Sequence, residues 1–117
     1  MIIGVTCDPN LGPMILLGMG GIFTEIFQDA VLYPAPINHW EAEEMISSLK
    51  SSRLLAGYRG QSPLDIKALA DCLVSVSRLA EDYRDKLVEM DINPVFVYPE
   101  GKGVKAADGL MVLCRKP

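Results

Sequence analysis

The residues best equipped for chemistry lie together in Asp91-Ile92-Asn93-Pro94. Side chains two apart in a strand point to the same side. Asp91 and Asn93 would therefore present a carboxylate and an amide oxygen on one face, while Ile92 turns to the core. Pro94 biases Asn93 toward an extended backbone and removes one ladder donor. Two hard oxygens on one face suit Mg²⁺, which takes one or two protein oxygens and completes its octahedron with water and phosphate. Asp108 lies beyond the turn cluster of Pro99 to Gly103, and a hairpin of that size could bring it beside Asn93. Taken alone, Asp-x-Asn-Pro is more simply ordinary turn chemistry.

Two further segments could meet an anion. Gly18-Met19-Gly20-Gly21 follows an apolar run. Glycines let backbone approach closely and turn N–H groups toward negative charge. No Lys-Ser or Lys-Thr follows, so the run is not a P-loop, nor does it match the dinucleotide fingerprint; on sequence alone a tight turn or bulge is the favoured reading. In Gly57-Tyr58-Arg59-Gly60 an arginine stands near two glycines, free to grip a phosphate through paired hydrogen bonds; the plainer reading is an exposed loop arginine. His39 is the only histidine. It sits beside Trp40 at a helix start with no nucleophile or carboxylate partner readable nearby, so no catalytic role is assigned to it.

The elements that must position these residues fit one domain over residues 1–117. Half of the residues are hydrophobic, 22% are charged and the formal net charge is −4. That is the profile of a soluble globular chain. The acidic balance and the lack of a basic run argue against nucleic acid and anionic membranes as partners. Cys7, Cys72 and Cys114 are far apart and odd in number. They read as small buried hydrophobes of a reducing cytoplasm. No apolar run approaches the roughly 20 residues of a membrane span, and the N-terminus lacks the pattern of a secretory signal.

Met1 to Cys7 and Met14 to Leu17 read as strands separated by the turn Asp8-Pro9-Asn10-Leu11-Gly12-Pro13. Ile22 to Leu32 is expected to be strand, broken near Gln28-Asp29 and ended by Pro34 and Pro36. Asn38 and Glu41 form a capping-box pattern, after which Ala42, Met45, Ile46 and Leu49 recur at helical spacing. Leu54 and Leu55 begin a brief segment that stops at Gly57. Ser62 is expected to cap a long helix with Pro63 in its first position and Asp65 completing the cap. Its buried stripe would be Ile66, Leu69, Leu73, Val76, Ala80 and Tyr83, ending near Arg84. Leu87–Asp91, Val95–Tyr98, Val104–Ala107 and Leu110–Leu113 return to strand pattern. This order predicts an α+β fold, a mainly antiparallel sheet with two principal helices on one face.

The run Gly12-Pro13-Met14-Ile15-Leu16-Leu17-Gly18-Met19-Gly20-Gly21-Ile22-Phe23-Thr24-Glu25, then Leu54-Leu55-Ala56-Gly57-Tyr58-Arg59-Gly60, then Asp91-Ile92-Asn93-Pro94 and Asp108 together resemble one family. It is the ATP-grasp domain of ADP-forming acyl-CoA synthetases, relatives of the succinyl-CoA synthetase β subunit. The resemblance covers nearly the whole chain and implies its second, C-terminal lobe. It implies ATP or ADP and Mg²⁺ as cofactors and a cytoplasmic ligase that interconverts acyl-CoA, ADP and phosphate with acid, CoA and ATP through a phosphohistidine. By that resemblance Asp91, Asn93 and Asp108 would hold the metal. Arg59 would contact phosphate in catalysis, and Gly18, Gly20, Gly21 and Glu25 would shape the nucleotide cleft.

The same resemblance implies that the first ATP-grasp lobe and a CoA-binding subunit or domain are partners, and that the chain is inactive alone. Cys7 stands where such proteins tend to carry a basic residue, and Gly109-Leu110 where they often carry Ala-Arg. Two rival readings share the fold: a non-catalytic regulatory or scaffold remnant, and a lobe of a synthetase-like region in a protein acetyltransferase.

Overall fold

A computed structural model of the chain describes residues 1–19, 29–57 and 60–114. Its centre is β1 (Ile2–Asp8), which pairs with β2 (Gly12–Gly18) on one side and β4 (Leu87–Ile92) on the other. β3 (Ala30–Pro34) extends the sheet beyond β2, and β7 (Gly109–Leu113) extends it beyond β4. The strand order is thus β3-β2-β1-β4-β7, with every pairing antiparallel. β5 (Val95–Val97) and β6 (Val104–Ala106) form a separate two-stranded hairpin.

Alternation decides which face is covered. Ile3, Val5, Ile15 and Leu17 point to one side and are fully buried. They meet Met45 and Ile46 of α1 (His39–Ser48) and Leu69, Leu73 and Val76 of α3 (Ile66–Asp82) in one core. The residues between them face the other way. Leu32 and Leu110, on that side, are 48% and 59% exposed. The α+β expectation therefore holds, with both principal helices on one face and the other face open.

Local chemistry explains the first helix as read. Asn38 Oδ1 accepts from the Glu41 N–H at 2.8 Å, and Glu41 Oε1 accepts from the Asn38 N–H at 3.1 Å. This is a complete capping box. His39 does have a partner, Asp71 of α3 at 2.7 Å, on the surface. Ser77, fully buried, is satisfied by accepting from the Ile37 N–H and donating to the Val74 carbonyl.

Three expectations shift. Ser62 does not cap the long helix; Asp65 does, accepting from the Ala68 N–H at 3.1 Å. The reason is that residues 63 and 64 are used elsewhere: the Pro63 carbonyl accepts from the Glu100 N–H, and Leu64 bridges Pro99. Tyr83 caps the helix C-terminus, half-exposed, instead of extending its buried stripe. Cys7 and Cys114, expected to be buried, are exposed. Pro34 ends β3 as expected, as its last paired residue. On an edge strand such as β3 a missing donor costs nothing. Of the strand expected over 22–32, residues 22–28 lie outside the described part.

Between α1 and α3 lies the short α2 (Ser52–Leu55), followed by Gly57 with φ +92°. A Cβ there would stand 2.8 Å from the Gln61 carbonyl oxygen and 3.1 Å from the Pro63 nitrogen. Only glycine fits that conformation and that space.

Two aspartates pin backbone that strand and helix ladders leave unpaired. Asp29, 6% exposed, accepts from the N–H groups of Lys50 at 2.6 Å and Ser51 at 3.0 Å. Its carbonyl also accepts from the Met19 N–H at 3.0 Å, closing the base of the 20–28 segment. Replacing Asp29 with alanine strands two backbone donors and is predicted to cost about 2–3 kcal/mol, read from urea or thermal unfolding.

Asp8 accepts from the Leu11 and Asn10 N–H groups, which hold its carboxyl below the ordinary range. The Ala68 and Gly103 N–H groups do the same for Asp65, helped by Gly101 and Lys67. A depressed folded pKa adds stability above the ordinary aspartate value of about 3.9 and loses it as pH falls through that value toward the folded one. The melting temperature is therefore expected to fall on acidification below about pH 4. Asp8→Asn should flatten that fall; an equally steep fall in the variant would contradict the assignment.

Candidate functional site

Asp91 stands on the open face of β4, opposite Gly4 of β1 and Leu110 of β7. No bulky side chain rises from Gly4, so the carboxylate is exposed between two strands. Asn93 follows β4 by one residue. Its N–H donates to the Asp108 carbonyl at 3.1 Å, and the Ala107 N–H donates to the Pro94 carbonyl at 3.0 Å. These two bonds carry the β4–β7 ladder across into the β5–β6 hairpin. Because Asp91 pairs with Leu110, residues 93 and 108 continue the same row. Strand alternation then places Asp91, Asn93 and Asp108 on one face.

All three residues are exposed. Asp108 Oδ1 accepts from the Gly109 N–H at 2.8 Å, which turns one carboxylate oxygen toward its own strand. The hairpin expected from the sequence therefore does bring Asp108 beside Asn93 in the backbone. Among the described residues no group of three or more His, Cys, Asp or Glu is placed to hold a metal. The candidate donors are thus two carboxylates and an amide oxygen. That all-oxygen set on an open surface is compatible with a Mg²⁺ ion that keeps most of its waters.

Gly18 ends β2, paired with Ile2 on one side and Ala30 on the other. A Cβ there would lie 3.2 Å from the Ala30 Cβ, so its small size serves close strand packing. Gly20, Gly21 and Glu25 lie outside the described residues, as does Arg59. Their flanks, however, are placed. Ile2 pairs with Gly18 and Ile3 with Ile92, so the glycine run and the Asn93–Asp108 junction leave the same end of the sheet, with only β1 between them. At about 4.8 Å per strand, the two strand ends are on the order of 10 Å apart. Met19, Leu54, Leu55, Val95 and Phe96 line one shallow apolar hollow at that end, which brings α2, and hence the start of the 57–60 loop, to the same place.

Sequence reasoning missed Asp29 at this site. It registered only as an interruption of a strand, yet it ties the base of the glycine segment to the N-terminus of α2. The signal was faint: a lone acid among apolar residues just before an edge strand.

The geometry can be set beside known proteins. The ATP-grasp domain family matches residues 1–113. The β subunit of the ADP-forming acetate–CoA ligase II of Pyrococcus furiosus is 46% identical over 113 residues, 97% of this chain and 48% of that one. The ADP-forming 4-hydroxybutyrate–CoA ligase of Nitrosopumilus maritimus is 43% identical over 92% of this chain and 15% of its own length. Among solved structures, the dinucleotide-forming acetyl-coenzyme A synthetase 1 of Candidatus Korarchaeum cryptofilum, in complex with coenzyme A and Mg-AMPPCP, has a TM-score of 0.89 and 40% identity, covering 97% of this chain and 52% of that one. A crystal structure from Pyrococcus horikoshii gives 0.93 and 44%, covering 98% of this chain and 48% of that one. The chain therefore spans about half of the β-subunit relative, or less of the longer ligases. With a match over nearly its whole length and a fold that superposes this closely, it belongs to the ATP-grasp family.

Proposed function

We propose that this chain is the C-terminal ATP-grasp subdomain of an ADP-forming acyl-CoA synthetase, and that it supplies the Mg²⁺ and phosphate side of the nucleotide cleft. The observation that carries the reading is the convergence at one sheet end of the oxygen-bearing Asn93–Asp108 junction and the glycine run. The relatives named as ADP-forming CoA ligases, and the synthetase bound to coenzyme A and Mg-AMPPCP, support the reaction class.

In this reading Asn93 and Asp108 ligate Mg²⁺, and Asp91 acts directly or through a bound water. Bound there, the ion would offset negative charge on the transferring phosphoryl group. The open face excludes no water by itself, so closure needs a second surface. That surface is the first ATP-grasp lobe, which together with a CoA-binding subunit or domain completes the enzyme. Arg59 would contact phosphate, and Gly20, Gly21 and Glu25 would line the cleft, with Asp29 and the Met19 N–H holding the base of their segment.

The test is reconstitution with the first lobe and the CoA-binding component, followed by acid- and CoA-dependent ATP turnover. Asn93→Ala and Asp108→Ala are each expected to lower kcat on the order of 100-fold. Part of the loss should return at raised Mg²⁺. Unchanged turnover in both variants would remove the metal assignment, and no turnover in the unaltered assembly would favour a non-catalytic module.

A further inference from the structure

The tip of the β5–β6 hairpin is held by a carboxylate that belongs to a helix. Asp65 Oδ2 accepts from the Gly103 N–H at 2.8 Å and from the Gly101 N–H at 3.1 Å. Its Oδ1 accepts from the Ala68 N–H at 3.1 Å, capping α3. Its own N–H donates to the Tyr98 carbonyl at 2.8 Å. One residue, 8% exposed, thus serves the helix with one oxygen and the turn with the other. Gly101 and Gly103 have φ of +85° and +84°. That region favours glycine, and it lets both amides turn toward the same oxygen.

Beside the Asp65 carboxylate, the turn is held by the Glu100 N–H to the Pro63 carbonyl at 2.9 Å and the Leu64–Pro99 bridge, while Val95, Val97 and Val104 pack on the core. The hairpin forms its own two-stranded sheet of three residue pairs, separate from the main sheet. At its base Val95 exchanges backbone hydrogen bonds with Met1, and the ladder passes through Pro94–Ala107 into Asn93–Asp108. Any tilt of the tip is carried down this short ribbon to the pair at its root. We infer that Asp65 is a positioning residue: by locking the turn at Gly101 and Gly103 to the start of α3, it sets the orientation of the hairpin and hence the facing of Asn93 and Asp108. The functional consequence rests on the metal reading proposed above; the mechanical coupling does not.

A helix cap alone would explain only the Ala68 contact, and one substitution separates the two roles. Asparagine is as good a cap as aspartate. In Asp65→Asn the amide oxygen can still accept from Ala68, but the other atom becomes an NH₂ donor facing two donor amides. The helix is kept and the carboxylate's grip on Gly101 and Gly103 is lost, while the backbone bonds Glu100–Pro63 and Asp65–Tyr98 remain. Amide hydrogen exchange on the full chain reads this without metal. The expected result is that Asp65→Asn keeps the protection of α3 amides while the Asn93 and Ala107 amides lose at least about 10-fold. Unchanged protection at Asn93 and Ala107 overturns the inference.

Mn²⁺ titration followed by line broadening of the Asn93 and Gly109 amides then separates it from the metal reading. If the unaltered chain shows selective broadening, Asp65→Asn should need about 10-fold more Mn²⁺. Equal titration of both proteins would deny Asp65 a role in the site while leaving the site standing. Absence of selective broadening in the unaltered chain would remove the metal site, and the exchange result alone would then decide the coupling.

Discussion

The backbone bond from Asn93 to the Asp108 carbonyl, at 3.1 Å, is the joint on which the site depends. Together with the bond from the Ala107 N–H to the Pro94 carbonyl, it carries the pairing past Ile92 and Gly109 into the β5–β6 hairpin. The antiparallel ladder thus runs on past the edge of the main sheet, and side-chain alternation is preserved across the junction. Strand geometry thereby decides that a carboxylate, an amide and a second carboxylate share one face. One Asp108 oxygen accepts from the Gly109 N–H, and all three residues remain exposed.

The rest of the fold serves to hold that joint at the right sheet end. β1 is central, and its first residues pair with Gly18 on one side and Ile92 on the other. The helices fill the opposite face with Leu69, Leu73, Met45 and Ile46. The sheet is therefore rigid where it is covered and accessible where it is not. Two buried carboxylates complete the frame. Asp29 secures the base of the glycine segment, and Asp65 secures the hairpin tip. Leu32 and Leu110 stay exposed on the open face.

What the sequence revealed tracks the range of the interactions involved. The Asn38–Glu41 capping box was legible because both partners lie within one turn. The strand around Asp91 and its hairpin with Asp108 were legible because period-two patterning and a Pro/Gly turn cluster are local signals. The double use of Asp65 was not, since Gly101 and Gly103 lie far along the chain; the same segment misled the helix start, because Ser62-Pro63 imitates a cap while its backbone is engaged by the distant turn. The partner of His39 was hidden for the same reason, Asp71 being on another helix. The order of strands, with β1 in the middle, has no local signature at all. Of the candidate site residues, Asp91, Asn93, Asp108 and Gly18 are placed, while Gly20, Gly21, Glu25 and Arg59 lie beyond the described residues.

The most direct test is an anomalous-scattering map of the reconstituted enzyme crystallised with Mn²⁺ and a non-hydrolysable nucleotide. The account predicts a peak about 2.1–2.2 Å from an Asn93 oxygen and an Asp108 oxygen, with nucleotide phosphate on its far side. A peak held by other residues, with Asn93 and Asp108 bound only to solvent, would contradict it.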